Sequence, residues 1–117
     1  MNRSYPCIKV CDIETTMDWY VDFLGFQCAH KSSLKNPDSA IIEKGQQKIY
    51  LLKDNRRESY ASNIIILEIS DIEAEYKVLE SGGAIIVQPI EDGMFGSREF
   101  VIKDYEDNKI IIHERKT

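Results

Sequence analysis

Two charged side chains at equivalent places in similar stretches of the chain are the first candidates for chemistry. Lys9 and Glu68 could act as an acid–base pair or could anchor a polar group of a bound ligand. The alternative is a cross-strand ion pair, which would satisfy two charges that are costly to bury alone. The sequence favours the ion pair, which would still leave a charged floor for a polar ligand group.

One arginine and two histidines are the next candidates. Arg98 could bind a carboxylate or phosphate through two parallel hydrogen bonds. It could equally form a salt bridge with the acidic residues of the adjacent loop, which are Glu91, Asp92 and Glu99. His113 shares a strand face with Ile111 and could serve as a general base or donate to a ligand. A solvated imidazole is the favoured interpretation for His113 and for His30, since each lies beside polar residues.

The three cysteines, Cys7, Cys11 and Cys28, are predicted to be free thiols. Cys7 and Cys11 are four residues apart on one predicted strand, which separates them by about 13 Å. A disulfide requires Cα atoms within roughly 7 Å of each other. Free thiols indicate a reducing, cytoplasmic environment. Lys9 could activate a neighbouring thiolate, but buried and inert thiols are the default expectation.

The elements that position these groups come from an internal duplication. CIKVCDIE at residues 7–14 is repeated 59 residues later as ILEISDIE at residues 66–73. In both, period-two apolar alternation predicts a strand, and the spacing after Asp12 and Asp71 becomes helical. Both aspartates are predicted helix N-caps. Glycines follow both helices where left-handed caps would end them, at Gly25 and at Gly82–Gly83.

Each half of the chain is therefore predicted as βαβββ. In the first half we predict strands at 5–11, 26–31, 39–43 and 48–53 and a helix at 14–24. In the second half we predict strands at 63–70, 84–90, 100–103 and 109–114 and a helix at 71–81. Pro89 and the following Glu-Asp-Gly turn are predicted to end the strand at 84–90. The expected organisation is a single domain, 1–117, with module one at 1–53, a linker at 54–62 and module two at 63–117.

Alternation also predicts which face of each strand meets a helix. Ile8 and Val10 share one face of the first strand, and the apolar set of residues 65, 67 and 69 shares one face of its repeat. The last strand, 109–114, is apolar on both faces and so should be covered on both. We therefore expect the curved sheets to leave a cavity between them.

Composition limits the partners. The chain has 117 residues and a net charge of −5, and its basic cluster at residues 53–57 is diluted by acidic residues, so a nucleic-acid partner is not expected. It contains no apolar run long enough for a membrane span, so a membrane partner is not expected either.

Two motifs give the chain a family resemblance. D-I-E-x-T-x-x-W-Y-x-x-x-L-G-F at 12–26 and F-G-S-R-E-F-V-I-K-D-Y-E-D-N at 95–108, within two βαβββ modules, resemble the vicinal oxygen chelate superfamily. Its members include glyoxalase I, bleomycin resistance proteins and extradiol dioxygenases, and this chain is most similar to the small bleomycin-resistance-type members. The resemblance implies an α+β fold, in which a curved mixed sheet surrounds a cavity and the helices lie outside. It also implies a homodimer.

The resemblance further implies where a catalytic metal would bind. Counting from the two motifs, three of the usual ligand positions fall on Tyr5, Ile64 and Ile111, and the fourth falls around residues 50–52. Divalent ions prefer imidazole, carboxylate or amide oxygen ligands, which these positions lack. We therefore expect no metal and no cofactor.

The leading hypothesis is a metal-independent small-molecule-binding protein that sequesters a planar or aromatic compound. Its predicted ligand-binding residues are Tyr5, Lys9, Tyr50, Glu68, Phe95, Arg98, Ile111 and His113. Phe95 is included because an aromatic ring in a turn could stack on a flat ligand or on a partner subunit. One alternative is a metal-dependent lyase or dioxygenase of the same superfamily that uses other ligand positions. Another is a module that serves only in protein interaction or regulation. The sequence favours a non-catalytic role without establishing it.

Overall fold

Two repeats of strand, helix and three strands make up the fold. A computed structural model describes residues 5–54, 64–93 and 96–115. The chain divides into unit one, Met1–Asn63, and unit two, Ile64–Thr117. Unit one contains β1 (Cys7–Val10), α1 (Ile13–Leu24), β2 (Gln27–Lys31), β3 (Ser39–Lys44) and β4 (Gln47–Lys53). Unit two contains β5 (Ile64–Ile69), α2 (Ile72–Ser81), β6 (Ile85–Asp92), β7 (Arg98–Lys103) and β8 (Lys109–Glu114).

Both helices begin at the predicted aspartate caps. The Asp12 carboxylate accepts a hydrogen bond from the backbone amide three residues later at 2.9 Å, and Asp71 does the same at 3.1 Å. Such a bond satisfies one of the amides that a first helical turn leaves without a partner. Gly25 ends α1 with a left-handed φ of 75°. After α2, Gly82 is still right-handed and the left-handed residue is Gly83, with φ of 93°. The cap predictions are confirmed.

Each unit has one mixed four-stranded sheet. The strand order is β1-β4-β3-β2 in sheet one and β5-β8-β7-β6 in sheet two. The first strand of each unit pairs in parallel with the last, and the other pairs are antiparallel. Neither sheet is closed into a barrel. The predicted α+β class with two βαβββ modules is confirmed.

One face of each sheet forms the core of its unit with the helix. In β5, Ile65 is 1% exposed whereas its neighbour Ile66 is 66% exposed, as strand alternation requires. The ring of Tyr76 in α2 packs edge-on against Phe100 in β7, with 4.9 Å between centroids. In unit one, Tyr20 of α1 is fully buried and packs in the same geometry on the core residue Phe26. Helix-facing residues were thus correctly assigned from the alternation.

The predicted end of β6 is wrong. Pro89 does not terminate the strand, which continues to Asp92, and pairing with β7 resumes at Glu91 opposite Glu99 after an irregularity. β6 is the edge strand of its sheet, so a residue without an N–H can be accommodated there. Of the predicted linker, residues 55–62 lie outside the described part of the chain. Neither described helix is long and apolar enough to cross a membrane.

A buried carboxylate holds the β7–β8 turn. Asp104, only 4% exposed, accepts hydrogen bonds from the backbone amides of Glu106 and Asn108 at 2.8 and 2.9 Å. It also accepts from the Asn108 side-chain amide at 2.9 Å. Asp107 adopts a left-handed φ of 67°. The turn is tight although a non-glycine residue occupies its left-handed position.

Candidate functional site

The face of sheet two opposite α2 combines exposed apolar and charged side chains. We call it the open face of sheet two. Ile64 and Ile66 of β5 are 56% and 66% exposed on it, and Glu68 follows on the same face. Their neighbours in the sequence, by contrast, are packed toward α2. Exposed aliphatic side chains of this size form an apolar surface, and an apolar partner that covered it would remove that surface from water.

Strand register aligns the open face in three rows that cross the four strands. The lysine row contains Ile64, Lys109, Lys103 and Ile85. The apolar row contains Ile66, Ile111, Val101 and Gln88. The acidic row contains Glu68, His113, Glu99 and Glu91. Successive rows lie two residues apart along a strand, which is about 6.7 Å.

The apolar row forms the middle of this face. Ile111 of β8 is half-buried and has Ile66 of β5 on one side and Val101 of β7 on the other. No ionisable group lies in this row. A flat apolar molecule could therefore lie across it without desolvating a charge beneath it.

The acidic row places an imidazole between carboxylates of two neighbouring strands. His113 is half-buried and lies opposite Glu68 in β5 and opposite Glu99 in β7. Glu99 in turn lies opposite Glu91 of the edge strand. The Glu99 carboxylate lies against Gly93, and a Cβ at that position would require the glutamate side chain to move. This end of the face is acidic.

Lys9 and Glu68, which were predicted as an ion pair, each have an ion-pair partner within their own unit. Lys9 Nζ lies 3.9 Å from an Asp54 oxygen, and Arg115 Nε lies 3.4 Å from a Glu68 oxygen. The pair of Arg115 with Glu68 is solvent-exposed, whereas in the pair of Lys9 with Asp54 the carboxylate is only 15% exposed.

Arg98 lies on the helix side of β7, where it is held by two carboxylates. Its Nε and Nη2 atoms donate to the two oxygens of Glu114 at 3.3 and 3.2 Å, and Nη1 donates to Glu73 of α2 at 3.1 Å. The hydrogen bonds to Glu114 and then Glu73 raise the pKa of Arg98 above its ordinary value. A salt bridge was one of the two predicted alternatives, but its partners are not the predicted loop residues. Strand alternation directs Arg98 toward α2 and away from Glu91 and Glu99, whereas Asp92 lies directly opposite Arg98 on β6.

The predicted site residues of unit one lie near one another at β1 and β4. Tyr5 is 40% exposed, and the Lys48 ammonium lies 5.7 Å from its ring centroid. Tyr50 is half-buried and pairs with Cys7, on the face of sheet one opposite α1, where Lys9 also lies. The aromatic groups of this face could contact a ligand. The remaining predicted residue, Phe95, lies outside the described residues.

The thiols are more accessible than expected. Cys7 and Cys28 are exposed and Cys11 is half-buried, and none of the three forms a disulfide. The expectation of buried thiols is wrong for Cys7 because it points away from α1, and for Cys28 because β2 is an edge strand.

Sequence reasoning did not find a shallow cavity at the junction of β1 and α1. Its volume is about 180 Å³, and it is lined by residues 11–15 together with Asn36, Pro37 and Lys53. The Asp12 carboxylate at its floor already caps α1. No predicted ligand-binding residue lines it.

The residues at the usual metal positions do not fit a divalent ion. The side chains of Ile64 and Ile111 offer no donor atom, and Tyr5 offers only a phenol. Across residues 5–54, 64–93 and 96–115, no group of three or more His, Cys, Asp or Glu side chains could hold a metal ion. These side chains therefore support no metal-dependent chemistry at the usual positions.

Sequence reasoning missed the candidate site residues that only the register of the strands places on the open face of sheet two. Glu91, Glu99 and Val101 join Ile111 and His113 on the open face. Alternation gives the face of a residue within its own strand, but the partner across the sheet depends on register. The sequence did show that Val101 and Glu99 share a strand face, because they are two residues apart. It did not show which residues of β8 lie opposite them.

Solved structures of antibiotic-binding proteins have the same fold. The bleomycin-binding protein of Streptomyces verticillus, solved with copper(II)-bleomycin, matches with a TM-score of 0.81 and 16% identity, covering 99% of this chain and 98% of that one. The bleomycin resistance determinant of transposon Tn5 matches with a TM-score of 0.81 and 15% identity over 100% of both chains. TnmS3, an antibiotic-binding protein of Streptomyces sp. CB03234, matches with a TM-score of 0.77 and 17% identity over 99% of both.

Sequence comparison agrees with the fold. No curated protein sequence matches the chain significantly. A family model does match, over residues 4–112, which is nearly the whole chain. The chain therefore belongs to the glyoxalase/bleomycin resistance protein/dioxygenase superfamily.

Proposed function

We propose that this protein binds a small planar or aromatic molecule without a metal and holds it against the open face of sheet two. The observation that carries the proposal is the apolar row, in which Ile66, Ile111 and Val101 lie side by side across three strands. Ile66 is two-thirds exposed, Ile111 is half-buried and Val101 is only 8% exposed, so Ile66 and Ile111 supply most of the apolar surface that a ligand would cover. Covering such side chains with a flat hydrophobic molecule is favourable by about 25 cal/mol for each Å² of apolar surface removed from water.

The solved relatives support a binding role. The proteins from Streptomyces verticillus and Streptomyces sp. CB03234 are named for binding bleomycin and an antibiotic, respectively. Their identity to this chain is below 20%, so the ligand itself is not carried over. What this chain adds is its own lining, in which an aliphatic row lies between a row with two lysines and an acidic row.

Metal independence is proposed from the chemistry of the side chains. A catalytic ion would need donors where this chain has Ile64 and Ile111, and aliphatic carbon provides none. The proposed role is sequestration, in which the protein binds its ligand tightly and does not convert it to a product. We also propose a cytoplasmic homodimer. The three free thiols support a reducing compartment.

A thermal-melt screen tests this function. A ligand that binds only the folded state at 100 to 1,000 times its Kd should add about 3–4 kcal/mol to the free energy of unfolding. We expect planar aromatic compounds to raise Tm, and we expect nickel, zinc, manganese and iron to leave it unchanged. Elemental analysis of the purified protein should find no stoichiometric metal.

A variant and an oligomer measurement make the screen specific. Ile66→Lys should fold and should lose the Tm shift that aromatic compounds produce. The control variant Val78→Lys changes an exposed residue of α2 and should keep that Tm shift. A stoichiometric metal, or a Tm shift with metals alone, would refute metal-independent binding. Sedimentation should give a dimer, and a monomer at all concentrations would refute that part of the proposal.

A further inference from the structure

We draw no further inference here: the strongest candidate, the shallow cavity of about 180 Å³ where α1 begins, is formed by a helix N-terminus with two carboxylates, a lysine and one cysteine, and nothing in the part of the chain that the structure describes points to a ligand held there.

Discussion

Two adjacent isoleucines on β5 should be destabilised to very different extents by the same substitution. Ile65 is 1% exposed and packs toward α2, whereas Ile66 is 66% exposed on the open face. Replacing a buried isoleucine by alanine removes three carbons, about 2.4 kcal/mol of transfer free energy, and leaves a cavity. We expect Ile65→Ala to lower the free energy of unfolding by about 3–4 kcal/mol. For Ile66→Ala the transfer free energy scales with the buried third and falls to about 0.8 kcal/mol.

Urea denaturation followed by circular dichroism measures both variants. The two residues share a strand, so the loss of β-propensity is common to them, and the difference of about 2–3 kcal/mol isolates burial. Binding of a planar aromatic compound found in the melt screen should weaken in Ile66→Ala and stay unchanged in Ile65→Ala at temperatures where that variant is folded. If Ile66→Ala were as destabilising as Ile65→Ala, the open face would be part of a packed core in solution. That result would refute the assignment of the face to ligand binding.

Other predictions test the caps, the β7–β8 turn and the arginine. Asp12→Ala and Asp71→Ala should each lower the free energy of unfolding by about 1 kcal/mol, since each removes one equivalent capping bond. Asp104→Ala should lower it by about 3 kcal/mol, because several buried donors lose a charged acceptor. Asp107→Gly should raise it by about 0.5 kcal/mol, the relief of left-handed strain less the entropy of glycine. Arg98→Met should lower Tm without changing the Kd of a planar aromatic compound found in the melt screen, because Arg98 lies on the helix side.

Denaturation curves and calorimetry check these four outcomes. The raised pKa of Arg98 keeps its guanidinium charged, so its stabilising contribution is complete at any pH below its ordinary pKa and is lost only above the raised value. The difference in Tm between Arg98→Met and the unmodified protein should therefore be the same at neutral and mildly alkaline pH. A weaker Kd in Arg98→Met would instead support the predicted role of Arg98 in holding a ligand. Unequal effects of the two cap variants would contradict their equivalence, and a destabilising Asp107→Gly would show that the aspartate side chain supports the turn.

The local features of the fold were predictable because their causes are local. A capping aspartate acts within one helical turn, so Asp12 and Asp71 mark the helix starts in the sequence itself. Strand alternation has a period of two, so the opposite fates of Ile65 and Ile66 follow from position alone. The duplication then extends each assignment to the other module. Pro89 misled because a proline ends a strand only where its missing N–H would have been paired, and edge position is not visible locally.

The charge pattern of the candidate site was decided by tertiary structure. Glu68 of β5 lies far in the sequence from Glu99 and His113 of the β7–β8 hairpin, and only strand register places the three in one row. Register depends on how distant segments pack together, and a shift of one residue would turn every side chain of a strand to the other face. The partners of Arg98, Glu73 and Glu114, were hidden for the same reason, since they lie on α2 and β8. The sequence by itself determined which side chains each strand exposes, and tertiary packing decided which of them became neighbours.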